Sequence, residues 1–238
     1  MAKMVVLRSR RPEIDPASFQ TSWAERLGPV TVELPGLMRC VQSRPLLQGY
    51  AKGPLLYDAF EEWWFADDAA ADAALASACA REVSALAAEI CIPARTVVLP
   101  VDVVVAKDGA IPENAVKNVE FVNRRPGMPL DAFFAYWREV HGPLAATIPV
   151  VRRYEQNHAR RRAYRDGAPL FDGFAVTWFD STQSMRDGTR TQAYADTRAD
   201  EPRFLPDGHL PIIIARETTI FDVRGGGPGS KVSRSSVP

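Results

Sequence analysis

At 238 residues the chain has room for one large domain or two small ones, and 46% hydrophobic with 24% charged residues is the composition of a protein that buries a real core, which excludes wholesale disorder. Twenty-nine Lys and Arg balance twenty-nine Asp and Glu. A net charge of zero argues against nucleic acid or an anionic membrane as the main partner, since both select a basic excess. The three cysteines, Cys40, Cys79 and Cys91, form no CxxC pair and read as buried thiols of a reducing compartment. No apolar run of 18 residues suggests a membrane span, and Arg8, Arg10 and Arg11 arrive too early for a secretory h-region, so a cytoplasmic location is expected.

In chain order, Met4 to Arg10 is a short apolar run suited to a strand. Asp15 then offers an N-cap with Pro16 in the first helical position, and Phe19, Trp23 and Leu27 recur at i, i+4 and i+8, the apolar stripe of a helix lying on a sheet. Gly28-Pro29 is expected to end or kink that helix, because proline donates no hydrogen bond and disfavours helix just before itself. An extended stretch follows Pro35 and a second runs from Leu55 to Phe65. The alanine-rich segment from Asp67 to Ile90 reads as a helix and Thr96 to Val105 as a strand. Ala115 to Asn123 opens the series again, with Gly142-Pro143 and Pro149 in the corresponding places. Leu170 to Phe179 is the next strand. Ser181 to Phe204 is polar, holds Gly188 and Pro202, and suggests a shorter helix followed by a loop. Ile212 to Phe221 closes the series, and the Gly, Ser and Pro content of residues 225–238 suggests a flexible tail.

The recurrence is a repeat. Shifting the chain by 114 residues superimposes Arg10-Arg11-Pro12 on Arg124-Arg125-Pro126, Phe19 on Phe133, Trp23 on Trp137, Gly28-Pro29 on Gly142-Pro143, Gln42 on Gln156 and Trp64-Phe65 on Trp178-Phe179. Between residues 5 and 65 the shift gives 19 identities without a gap. Ordinary residue frequencies would give about four. The expected organisation is one copy over residues 1–110, a second over 111–224 and a tail over 225–238. Each copy reads strand, helix, strand, strand, helix, strand, the order of a ferredoxin-like unit. The expected fold is therefore α+β: two tandem ferredoxin-like units (βαββαβ) forming an intrachain pseudo-dimeric barrel, in which each sheet covers the other's bare face.

Residues 120–158, EFVNRRPGMPLDAFFAYWREVHGPLAATIPVVRRYEQNH, resemble the EthD family of the dimeric α+β barrel superfamily. The resemblance lies in an RRPG turn, a Phe-x-x-x-Trp-x-x-x-His helix, Gly-Pro, and a Pro-x-x-x-x-Tyr-x-x-Asn-His strand. The first copy keeps the scaffold positions but has Leu27, Cys40, Ser43 and Arg44 where the motif has His, Tyr, Asn and His. This resemblance implies fold more strongly than reaction, because that superfamily hosts oxygenases, decarboxylases, cyclases, isomerases and proteins without known activity.

His141 carries most weight among the candidates. It continues the Phe133, Trp137 stripe, so it faces the sheet, where the first copy uses Leu27. An imidazole in that place costs on the order of 1 to 3 kcal/mol unless its polar atoms are paired, which argues for a role beyond filling space. Burial and nearby helix-end carbonyls pull its pKa in opposite directions, which suits a general acid or base. On the strand after Pro149, Tyr154, Gln156 and His158 share one face, while Arg153, Glu155 and Asn157 share the other. Tyr154 is expected to donate to a developing oxyanion, and His158 to act as a second acid or base or to orient the substrate. Phe121, Trp137, Asn157, Phe174 and Trp178 are the expected pocket walls. Asp172, Phe174, Trp178 and Phe179 recur in both copies and so also suit a scaffold role. Arg124 and Arg125 suit a turn, Arg160 to Arg162 a solvated loop, and His209 an exposed turn near the pocket mouth.

No Gly-rich phosphate cradle, nucleophile elbow or HExxH motif occurs. The leading expectation is a lyase or isomerase without cofactor or metal: His141, Tyr154 and His158 act on a small aromatic or polyketide-like molecule, as in aromatic compound catabolism, by C–C cleavage, decarboxylation or isomerisation. The alternatives are a cofactor-free monooxygenase and a non-catalytic protein that shields an unstable metabolite. The expected partner is that small molecule, not nucleic acid or membrane, and a homodimer is left open. Haem enzymes also occur among two-copy barrels of this kind, so haem is the cofactor to test for.

Overall fold

The computed structural model describes residues 1–224; the expected tail, residues 225–238, lies outside the described residues. The fold is α+β, and its strands and helices follow the repeated ferredoxin-like order. The described chain divides into two compact units, one of Met1–Arg44, Tyr57–Val98 and residues 218–224, the other of Pro45–Leu56 and Leu99–Glu217.

In the first unit, β1 (Ala2–Arg8) opens the chain and α1 (Pro16–Ser22) follows, capped by the Asp15 carboxylate accepting from the Ala17 and Ser18 N–H groups. One π-helical turn, Trp23–Leu27, then leads into α2 (Gly28–Thr31). β2 (Leu37–Pro45) and β3 (Ala59–Phe65) complete an antiparallel sheet in the order β1-β3-β2. The alanine-rich segment forms two helices, α3 (Asp68–Ala76) and α4 (Ala78–Ile90), because Ser77 is extended and caps α4 with its own side chain. Phe19, Trp23 and Leu27 pack against Val83, Ala87 and Ile90.

The last strand of the first copy, β4 (Val97–Lys107), runs antiparallel along a strand of the second copy; from Leu99 on it belongs to the second unit. That unit continues with β5 (Val116–Val122), α5 (Leu130–Tyr136), a second π turn at Trp137–His141, and α6 (Gly142–Ala146). Then come β6 (Arg153–Ala159), β7 (Gly173–Phe179), the helices α7 (Thr182–Gly188) and α8 (Gln192–Asp200), and β8 (Ile212–Asp222), of which residues 212–217 belong here. Its sheet order is β8-β5-β7-β6-β4, the ferredoxin-like order of one copy with β4 added on the free edge of β6. In the first unit the end of β8 is held where the Val223 N–H donates to the Met38 carbonyl at 2.9 Å.

The 114-residue shift persists beyond residue 65. The Arg11 N–H donates to the Ile90 carbonyl at 2.9 Å, as the Arg125 N–H does to the Phe204 carbonyl at 2.8 Å. The helix caps Asp67 and Ser77 recur as Ser181 and Thr191.

Gly-Pro does not end the helix in either copy. The π turn absorbs it: widening the helix lets the glycine N–H reach the Trp carbonyl five residues back, at the point where Pro29 or Pro143 supplies no donor. The same Trp carbonyl takes a second donor from the sheet, Gln156 Nε2 to the Trp137 oxygen at 2.7 Å and Gln42 Nε2 to the Trp23 oxygen at 3.4 Å. A Cβ on Gly142 would sit 2.6 Å from Gln156 Nε2, whereas one on Gly28 would lie 3.4 Å from Gln42 Nε2. Gly142→Ala is therefore expected to lose about 1 to 3 kcal/mol by displacing Gln156. Gly28→Ala should be neutral or gain up to about 1 kcal/mol from helix propensity. Thermal melts of the two variants side by side check this contrast.

Candidate active site

Pairing register in the second unit builds the floor of the site. One row across the sheet reads Ile214, Asn118, Thr177, Tyr154, and the next reads Ile212, Glu120, Ala175, with Gln156 beyond. All but Gln156 line a cavity of about 210 Å³, roofed by His141 and Ala145 from the α5–α6 helix and by Tyr194, Thr197, Arg198 and Glu201 from α8 and the turn after it. Ile148, Val151, Phe179 and Met185 supply most of its remaining apolar wall.

His141 is 7% exposed and its Nδ1 lies 3.0 Å from Asp200 Oδ2. The Tyr136 hydroxyl donates to the other oxygen of Asp200 at 2.6 Å, and the Phe204 ring sits 4.6 Å from the imidazole. Two donors on one carboxylate place the imidazole proton on Nδ1 and leave the lone pair of Nε2 for the cavity. Burial pushes the His141 pKa down, favouring the neutral ring, and the hydrogen bond to Asp200 opposes that push.

Tyr154, 2% exposed, accepts at its phenol oxygen from Trp137 Nε1 at 3.1 Å and from Gln156 Nε2 at 3.4 Å. Its own proton is thereby available to a group in the cavity. Burial raises its pKa, so it remains a donor. Glu120 accepts from Asn118 Nδ2 at 3.0 Å, and burial raises its pKa. Glu201, ion-paired with Arg198, is pushed up to about 7, mainly by burial. His209 is exposed and its Nδ1 lies 3.0 Å from Arg198 Nη2, which ties its loop to the cavity wall.

The structure brings together His141 and Tyr154 and leaves His158 apart. His158 shares the helix-facing side of β6, but its ring is stacked between Phe134 and Trp137, at 4.7 and 4.5 Å, and its Nε2 bonds Gln156 Oε1 at 3.0 Å. It borders a different hollow, with Asp102, Asp131, Arg138 and Arg161. Trp137 is buried behind Tyr154 and does not line the cavity. Phe121 and Phe174 point to the opposite sheet face, where they contact each other and Phe171. Trp178 alternates to that same face and takes the Lys117 ammonium over its ring. Asn157, opposite Phe174 in register, is also there. Arg124 holds a turn, as expected, through its N–H to Asp172 Oδ2 at 2.8 Å; Arg10 makes the same bond to Asp58 at 2.9 Å.

Residues missed from sequence are Asp200, Glu120, Asn118, Thr177, Arg198 and Glu201. The 114-residue shift contained the signal: their counterparts are Leu86, Val6, Met4, Trp63, Ser84 and Ala87. In the first unit the floor rows read Met4, Trp63, Cys40 and Val6, Glu61, Gln42, and Leu27 packs with Leu86 where the second copy has His141 and Asp200. Trp63 there is 3% exposed and helps to fill the space that Thr177 leaves open. Among the described residues no three His, Cys, Asp or Glu side chains are placed to hold a metal ion, and no helix is long and apolar enough to cross a membrane.

Thr177→Trp is expected to fold, since the first copy accepts tryptophan at this place, and to abolish binding of a small apolar fluorophore in the cavity; melting and titration check the two halves. His158, pushed down to about 4 by burial, favours the fold when neutral. Its contribution is therefore complete above the unfolded value near 6.5 and is lost as pH falls to about 4, on the order of 3 kcal/mol for a shift of this size. Melts of His158→Phe between pH 7 and 4 should show a weaker acid destabilisation than those of the parent.

The chain resembles several solved structures at low identity. An anthrone oxidase-like protein is 13% identical with a TM-score of 0.61, covering 99% of this chain and 96% of that one. A candidate monooxygenase of Fusobacterium nucleatum subsp. nucleatum ATCC 25586 is 12% identical with a TM-score of 0.58, covering 92% and 93%. One of Lactobacillus acidophilus NCFM is 12% identical with a TM-score of 0.54, covering 92% and 94%. At these identities the likeness is one of fold. No curated protein matches the chain. The family model that matches is that of the EthD domain, over residues 125–207, which hold the His141–Asp200 pair.

Proposed function

We propose that the second copy is an acid–base enzyme, working without a cofactor on a small, largely apolar aromatic or polyketide-like compound. The observation that supports this most directly is the buried His141, with Nδ1 tied to Asp200 and Nε2 left for the cavity. In this reading Nε2 removes a proton from a carbon next to a carbonyl, or from a phenol. The electron pair moves onto the substrate oxygen, where the Tyr154 hydroxyl donates to it, and Asp200 stabilises the imidazolium that forms. Return of the proton to a different carbon completes an isomerisation. Transfer to the carbon released by bond cleavage completes a lyase reaction.

His158 has a positioning role in this scheme. Its bond to Gln156 Oε1 aims the amide at the Trp137 carbonyl and at Tyr154, so it acts on the phenol through Gln156.

A second reading, a cofactor-free monooxygenase, is supported by the fold shared with an anthrone oxidase-like protein and two candidate monooxygenases. It begins with the same deprotonation. The carbanion, formed at a CH2 group, then adds to dioxygen; the O–O bond breaks, one oxygen stays on the carbon as a carbonyl, and the other leaves as water with both hydrogens of the CH2, so the substrate itself supplies all four electrons. His141→Phe is expected to lower turnover by about 100-fold or more, in keeping with the usual size of general acid–base catalysis, while preserving the melting profile. Full turnover by that variant would refute the base assignment, and oxygen consumption matching product formation would select the monooxygenase.

A further inference from the structure

The cavity's charge is one-sided. Its ionisable lining comprises Glu120, Glu201, Arg198, His141, Tyr154 and Tyr194, with Asp200 behind His141. Arg198 is the single lysine or arginine in the lining; it is ion-paired with Glu201, its Nη2 lies 3.0 Å from His209 Nδ1, and its charge also acts on Glu120. Glu120 carries no ion pair among the described residues; its acceptor contact is Asn118 Nδ2. The first copy has Val6 at that register position and places its own buried glutamate one strand over, at Glu61, beside Gln42. In the second copy that place is Ala175, and the carboxyl group stands on β5 against open space.

We propose that Glu120 makes the cavity selective for uncharged hydroxy- or oxo-aromatic molecules and turns away carboxylates. A ligand hydroxyl donates to a Glu120 oxygen, whereas a ligand carboxylate has no proton to donate and, at a pH where Glu120 is ionised, meets a like charge, with Arg198 already bonded to Glu201 and in contact with His209. The inference rests on the same cavity as the proposed function and narrows it. A site that rejects carboxylates does not take a free acid for decarboxylation, which leaves isomerisation, cleavage between carbons, or oxygenation.

The test is calorimetric titration of the full chain at pH 8 with 2-naphthol and with 2-naphthoate, for the parent protein and Glu120→Gln. The parent should bind the naphthol at least tenfold more tightly, and the substitution should reduce that preference at least threefold. Glu120→Val, which copies the residue of the first repeat, serves if the glutamine variant does not fold. Equal or tighter binding of naphthoate by the parent overturns the proposal. So does an unchanged preference in a folded variant, or no binding of either probe. None of these readouts involves turnover, so loss of the acid–base reading through an active His141→Phe enzyme is a separate result.

Discussion

The carbonyl of Trp137 is the point from which the second copy's site is built. Pro143 supplies no helix donor, the helix widens into a π turn just before it, and the Trp137 oxygen is held by the Gly142 N–H and by Gln156 from the sheet. That bond ties helix to strand at one place and sets the phase of everything after it. Because a π turn inserts a residue, it rotates the succeeding side chains around the axis. His141 thereby faces the cavity and Asp200. The same amide reaches Tyr154 on one side and His158 on the other, so one glutamine connects its two neighbours on that face of β6 to the helix.

The first copy keeps this frame and lacks the polar cavity. Trp23, Gly28 and Gln42 reproduce the π turn, while Leu27, Leu86, Met4, Val6 and Trp63 take the places of the polar cavity residues. Side-chain volume decides the difference: the step from Trp63 to Thr177 opens a hole, and the step from Glu61 to Ala175 clears the floor beside it. Once the hole exists, polar groups around it are solvated or available to a ligand, which offsets the cost of burying them. Leu27 and His141 are thus alternative answers to the same position, one for a packed interior and one for a hollow.

The two buried histidines show how context separates equal residue types. Burial lowers the pKa of both. His141 has a carboxylate that restores part of its basicity and a free face on a cavity. His158 lies between two aromatic rings and spends Nε2 on an amide, an arrangement that orients neighbours and holds a neutral ring.

Local pattern was enough for the repeat, the ferredoxin-like order, the apolar stripe of Phe133 and Trp137, and the departure of His141 from it, because each depends on short spacings or on comparing one half of the chain with the other. The helix passing through Gly142-Pro143 was hidden, since a proline reads as a stop until Gln156, from a distant strand, compensates the widened turn. The pocket walls were hidden for a related reason. Whether Phe121 or Glu120 faces the cavity is a matter of strand phase, and which residues stand beside Glu120 depends on antiparallel register among β8, β5 and β7. Asp200 reaches His141 across 59 residues of sequence. Sequence by itself determined the elements, their duplication and the residue that breaks the symmetry. Only tertiary structure decided which groups surround that residue, because register and helix phase are set by contacts between segments far apart in the chain.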